Sequence, residues 1–239
     1  MATHPREKLI VALDYPSLAE AQAMARQLEG LAGCFKIGSQ LFAAEGPRAL
    51  EKLGRYGGIF LDLKFHDIPN TVAGAVAAAA ELPGVRFLDL HALGGFEAMR
   101  AAVEAVAARK PRPRLLGVTI LTSHDERSLR RIGLAGKPEA NALRLAKLAR
   151  LAGLDGVVAS AREVRSIRRA CGPQFLLVVP GIRPTSAGLQ DQVRVATPGD
   201  AIRAGADYLV VGRPITGAPA PAAAAAAIVA EIGQALEAD

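Results

Sequence analysis

The feature that most restricts the fold of this chain is an alternation repeated eight times. A short apolar run of strand type is followed each time by a longer stretch with a helical pattern. The runs fall at 8–13, 34–37, 59–65, 86–90, 114–121, 156–159, 175–179 and 208–211. They are continuous rather than alternating in polarity, the pattern of parallel strands covered by helices. Helices are expected at 17–28, 47–55, 70–81, 97–109, 139–152, 162–170 and 198–204, with a short one before 139 and an alanine-rich one at the end. Ser17 can cap the first of them, with Glu20 completing a capping box and Gly30 closing the helix. Eight such units predict a (β/α)8 TIM barrel, read as a single domain over 1–239. An open doubly wound sheet is the alternative. It usually needs fewer units, and it marks its first strand–helix turn with a Gly-x-Gly-x-x-Gly run that this chain lacks.

A chain of 239 residues can bury a large core without disulfides or metals. Cys34 and Cys171 lie in or beside apolar segments, so buried thiols are expected rather than a disulfide. No stretch approaches about 18 strongly apolar residues, and the alanine run near Ala222 is too short and too weakly apolar to span a membrane. The opening MATHPREKL lacks the apolar core of a signal peptide, which predicts a cytoplasmic protein. The net charge of +6 raises the question of nucleic acid. Yet the basic residues are spread over helix faces, as at Arg162, Arg165, Arg168 and Arg169, and Trp is absent. A solvated surface, or attraction of a small anionic substrate, accounts for that balance without nucleic acid.

In a barrel of this type the active site forms at the C-terminal ends of the strands. The polar residues there are Asp14, Lys36, Asp62, Lys64, Thr122, Ser123 and Arg213. In IFLDLKF the strand period of two sends Asp62 and Lys64 to one face, and Leu61 and Leu63 to the other. Asp67, Asn70 and Thr71 follow in the turn where the next helix begins. Two aspartates and two lysines at one mouth are either structural ion pairs or a functional array. The functional reading is favoured, because buried charges are costly unless paired and such arrays tend to be kept for chemistry. The fourth strand repeats the two-residue spacing with Asp89 and His91. His4, His66, His91 and His124 show no metal-ligand spacing and are expected as turn or core residues. There is no nucleophile elbow and no P-loop. Gly212-Arg213 stands before a helix at the eighth strand end, where barrels often hold a phosphate. The long polar segment 182–197 adds Arg183 and Gln192, and suits a lid.

These motifs resemble the orotidine 5′-phosphate decarboxylase family. Asp62-x-Lys64-x-x-Asp67-Ile68-Pro69-x-Thr71 is similar to its signature. Nearly the whole chain shares the likeness, through ALDYPS, FKIGSQLF, DLHALGG, TILTS, PGIRP, DQVRVATP and VGRPIT. DQVRVATP points to the bacterial branch. GAPAPAAAA after Thr216 departs from the pattern, where acidic or polar residues are more usual, and touches only the last helix.

The resemblance implies decarboxylation of orotidine 5′-monophosphate to UMP, without cofactor or metal, in a homodimer with shared active sites. It implies that Asp14 binds the ribose and that Lys36, Asp62 and Lys64 form a charge array with Asp67 from the partner subunit. Thr71 would also cross the dimer. Thr122 and Ser123 would contact the pyrimidine, with Pro180 among the substrate-binding residues. Arg183, Gln192, Gly212 and Arg213 would hold the 5′-phosphate. A sugar-phosphate lyase of the same superfamily, such as 3-keto-L-gulonate 6-phosphate decarboxylase, shares the Asp-x-Lys-x-x-Asp strand. It needs Mg²⁺, normally with a Glu ahead of the equivalent of Lys36, and here Phe35 stands there.

Overall fold

The computed structural model describes residues 4–184 and 196–238. Its strands are β1 (Leu9–Ala12), β2 (Cys34–Gly38), β3 (Gly58–Phe65), β4 (Val85–His91), β5 (Arg114–Val118), β6 (Gly156–Val158), β7 (Leu176–Val179) and β8 (Tyr208–Val211). They pair in parallel in chain order, and β8 returns to β1 through Leu9 opposite Leu209 to close the barrel. The expected (β/α)8 architecture is therefore the one observed.

The continuous apolar runs follow from two distinct cores. Leu9 and Val11 of β1, Phe35 and Ile37 of β2, and Ile59 and Leu61 of β3 face outward and pack under the helices. Ile10, Cys34, Phe60, Phe87, Leu116, Val178 and Val210 fill the barrel interior. Phe87 meets Phe60 edge-on at 6.0 Å and Tyr208 at 5.0 Å between ring centroids, which plugs the interior below the mouth. Two residues beyond Cys34, Phe60 and Phe87 on the same faces stand Lys36, Asp62 and Asp89, all buried. The interior thus changes from apolar to charged within one step along three adjacent strands.

Ser17 caps the helix Leu18–Gln27: its hydroxyl accepts from the Glu20 N–H at 3.4 Å and donates to Glu20 Oε1 at 2.9 Å. The helix Ser39–Glu45 was not expected from sequence. It has no side-chain cap and buries only Leu41, so neither of the usual signals marks it. The expected fifth strand is shorter than its apolar run. Past Val118, Thr119 turns toward β6, with both its N–H and its hydroxyl on Val158 O. The alanine-rich helix Pro221–Glu237 buries Ala225, Ile228, Ile232 and Ala235 along one stripe. Glu231 from it accepts the Gly199 N–H at 2.9 Å, tying it to the helix Pro198–Arg203. No described helix is long and apolar enough to cross a membrane. Cys34 and Cys171 are buried and free, as expected, and burial pushes the Cys34 thiol up to about 12.

Candidate active site

Parallel pairing brings the predicted charges into line at the mouth. Ala12 lies opposite Lys36, and Gly38 lies opposite Asp62. The Leu13 N–H donates to Lys36 O at 3.0 Å, which carries the end of β1 past β2 and sets Asp14 beside the ammonium. Lys36 Nζ then donates to Asp14 Oδ1 at 2.8 Å and stands 3.2 Å from Asp62 Oδ2. Lys64 Nζ takes the other oxygen, Asp62 Oδ1. The result is one alternating row, Asp14–Lys36–Asp62–Lys64. A Cβ at Gly38 would come within 3.1 Å of Lys36 Nζ and 3.2 Å of Asp14 Oδ1, so a glycine here keeps that end of the row open.

The row sets its own ionisation. Burial works against the Lys36 ammonium, but Asp62 and Asp14 outweigh it and hold the group above the usual lysine range. Burial likewise works against the Asp62 carboxylate. Lys36, a hydrogen bond from Asp89, and Lys64 overcome it and hold Asp62 down at about 2. Asp89 goes the other way. Burial first, and then the Asp62 charge, keep its carboxyl well above the usual range. His91 is pushed down by burial and then by its neighbours His66 and Lys64. Its ring lies 5.3 Å from that of His66, and its Nδ1 is buried without a partner among the described residues.

Asp62 and Lys64 do not share a face through strand period alone. Both do line the same cavity. But the β3–β4 register breaks between Leu61, opposite Leu88, and Phe65, opposite Leu90. Asp62, Leu63 and Lys64 therefore stand against Asp89 alone, a bulge. Lys64 has φ +50, the one positive φ outside glycine among the described residues. Its orientation comes from that bulge and not from a regular strand.

Two cavities meet at the mouth. One, of about 180 Å³, has Lys36, Asp62, Lys64 and Asp89 on one side and Phe60, Val158 and Val210 on the other, with Thr122 at its edge. The second is lined by Asp14, Arg183, Gly212 and Arg213. Lys36, Pro180 and Val210 border both, so the two form one elongated site. Arg183 is buried, and its Nε meets no partner among the described residues. Its backbone N–H donates to Ala196 O at 3.0 Å, within a bridge between Ile182 and Ala196 that draws together the two ends of the expected lid. Gln192 and most of that lid lie outside the described residues.

The remaining predicted residues fall elsewhere. Ser123 lines an adjoining depression with His124 and Asp125, and Thr122 borders both that depression and the main cavity. Asp67 and Thr71 are exposed and line neither cavity of the mouth. Asp67 Oδ1 accepts the N–H of Ile68 at 2.6 Å at the start of the helix Pro69–Ala80. The residue that sequence reasoning passed over is Asp89. Its signal was present in the spacing to His91 at the end of a strand.

A closed eight-stranded parallel barrel with a charged array and a paired-arginine pocket at its C-terminal mouth defines the class, a (β/α)8-barrel enzyme. Residues 7–228 match the family described as Orotidine 5'-phosphate decarboxylase / HUMPS family, and the chain belongs to it. Orotidine 5'-phosphate decarboxylase of Geobacter sulfurreducens is 54% identical over 231 residues, covering 95% of this chain and 96% of that one. The protein of the same name from Moorella thermoacetica is 52% identical, covering 96% and 93%. The crystal structure of orotidine 5'-phosphate decarboxylase from Lactobacillus acidophilus superposes with a TM-score of 0.83 at 38% identity, covering 94% of this chain and 98% of that one.

Proposed function

We propose that this chain converts orotidine 5′-monophosphate to UMP and CO2, a step of de novo pyrimidine synthesis. The observation that carries the reading is the alternating Asp14–Lys36–Asp62–Lys64 row, with Lys36 and Asp62 buried, in a chain of this family. Breaking the bond between C6 and the carboxylate leaves an electron pair on a ring carbon with little resonance help. A fixed ammonium beside that carbon stabilises the charge as it develops and then donates the proton that makes C6–H. Lys64 has that role. Asp62, ionised at neutral pH, pairs with the Lys64 ammonium and lies beside the departing carboxylate. Lys36 keeps Asp62 ionised and, with Asp14, faces the ribose. No cofactor enters the scheme.

The second cavity suits the 5′-phosphate. A buried guanidinium nitrogen without a partner is costly, and a phosphate oxygen would satisfy it. Arg183 and Arg213 supply the positive charge, Gly212 lets the backbone approach, and Gln192 comes from the segment between Pro184 and Ala196. Thr122, with Ser123 next to it in the loop after β5, borders the place of the pyrimidine, and Pro180 borders both halves. Phosphate binding remote from C6 then contributes to organising the reacting end.

The same reading includes a homodimer and a cytoplasmic location, in keeping with a step of nucleotide biosynthesis. Asp67 and Thr71 have no place in their own cavity, and Ile68 beside them is 66% exposed, with Leu93 at 38%. An exposed isoleucine flanked by Asp67 and Thr71 suits a two-fold contact in which each subunit lends these two residues to its partner's mouth. The assay is loss of orotidine 5′-monophosphate absorbance with EDTA present. Turnover should persist, and its absence with and without Mg²⁺ would refute the activity. Mixed Asp67→Asn and Lys64→Ala subunits should recover part of the lost activity. No recovery, with subunit exchange demonstrated, would refute the shared site.

A further inference from the structure

Asp89 is 1% exposed and lies against the catalytic row without being one of its paired members. Its Oδ1 accepts the backbone N–H of Lys64 at 2.9 Å. Its Oδ2 is buried and meets no donor among the described residues. The bulge explains why a side chain is needed there. Three residues of β3 stand opposite Asp89 alone, so the Lys64 amide has no regular ladder partner. Lys64 also carries a left-handed backbone, which is unfavourable for a residue with a Cβ unless the surroundings hold it.

We infer that Asp89 is a positioning residue for the reaction: its carboxyl clamps the Lys64 amide, holds the strained bulge, and so sets where the ammonium lies against Asp62. This rests on the reading of Lys64 as the proton donor. Asp89 does its work as the neutral acid. The two lysines and the two aspartates of the row already balance. A further buried anion would face Asp62 and have no cation of its own. From β5 the residue opposite Asp89 is Leu116, which brings no charge. The charged groups acting on Asp89 are Asp62 and Lys64 of β3, and burial together with Asp62 prevails over Lys64. In the acid form one oxygen still accepts the Lys64 N–H, and the hydroxyl turns a repulsion with Asp62 into a hydrogen bond. A neutral Asp89 therefore leaves Asp62 with its full charge for Lys64.

Two substitutions separate these roles. Asp89→Asn keeps an acceptor for Lys64 and a donor toward Asp62, and its kcat should stay within about threefold of wild type with an unchanged pH profile. Asp89→Ala should lose about thirtyfold or more in kcat with KM within about threefold, because the ammonium is misplaced after the substrate has bound. Equal losses in both variants, or wild-type kcat in Asp89→Ala, would overturn the inference. Carbon-13 NMR of aspartate carboxyls in the wild-type protein tests it without any need for Asp89→Ala to fold. One carboxyl should remain protonated at neutral pH and be missing in Asp89→Asn. A spectrum in which every aspartate is ionised there would overturn it. Lys64→Ala is the control. If that variant turns over normally, the site reading itself fails. If it is inactive while Asp89→Ala is normal, only the role of Asp89 fails.

Discussion

The two ends of the barrel both set aspartates against basic side chains, and they use them in opposite ways. At the N-terminal end Asp155, just ahead of β6, accepts from Arg112 at 2.7 and 2.8 Å, from Arg114 at 3.0 Å and from the Leu115 N–H at 2.8 Å. Asp207, just ahead of β8, accepts from Arg168 at 2.5 Å and from the Leu177 N–H at 2.8 Å, while Arg168 also reaches carbonyls of Gly172, Phe175 and Gly205. Both oxygens of Asp155 are taken, and these groups stitch each strand to the next. At the C-terminal mouth Arg183 Nε is buried without a partner among the described residues, and Lys64 is held in a strained backbone. Satisfied charge at one end holds the fold together. An open arginine nitrogen and a strained lysine at the other mark the place kept for a ligand.

The largest expected effect sits at the mouth. Lys64→Ala should lower kcat by at least about a thousandfold with the melting temperature little changed, since alanine keeps the same left-handed Cβ position, Asp62 retains Lys36, and only the catalytic charge is lost. A melting temperature that falls sharply would mean that the mouth, too, is built for stability. At the other end Asp155→Ala should cost about 2–3 kcal/mol in urea unfolding, by stranding Arg112, Arg114 and the Leu115 amide, with kcat unchanged. Loss of activity without loss of stability there would undo the contrast.

A pH series sharpens the comparison further. Burial opposes the Asp155 carboxylate, but Arg112, the Leu115 N–H and Arg114 hold it below the usual range. Its contribution is thus present above the ordinary aspartate range and lost as pH falls through the lowered folded value. Asp89 is raised in the folded state, so its acid form favours folding in acid, and that contribution fades as pH climbs above the ordinary aspartate range. Stability of wild type relative to Asp155→Asn should therefore fall with acid, and relative to Asp89→Asn should fall with base. Unfolding titrations across both ranges check the two signs. The smallest effect is expected for Gly38→Ala. Its Cβ would press on Lys36 Nζ and Asp14 Oδ1, and KM should rise about two- to fivefold with little change in kcat.

Most of the architecture was legible in the chain because its signals are local. Tyr208–Val211 falls where the apolar run places it, and the other strands differ from their runs at the ends only. Ser39–Glu45 carries no local signal, because it lacks both a side-chain cap and an apolar stripe. The site was legible in part. Asp14, Lys36, Asp62 and Lys64 meet as their strand-end positions imply, because parallel strands in register deliver such positions to one mouth. Asp67 and Thr71 stand apart from their own cavity, and Ser123 sits beside it, since a motif does not say which surface a turn presents.

What the sequence determined by itself is the eightfold strand–helix order, the closed barrel that order implies, and the set of charges carried to its C-terminal end. These depend on periodicities of a few residues, which neighbours along the chain dictate. The bulge opposite Asp89, the left-handed backbone at Lys64 and the buried Nε of Arg183 were decided only in the tertiary structure. Each depends on how two strands or two segments far apart in sequence match in length and register, and no local pattern encodes that match.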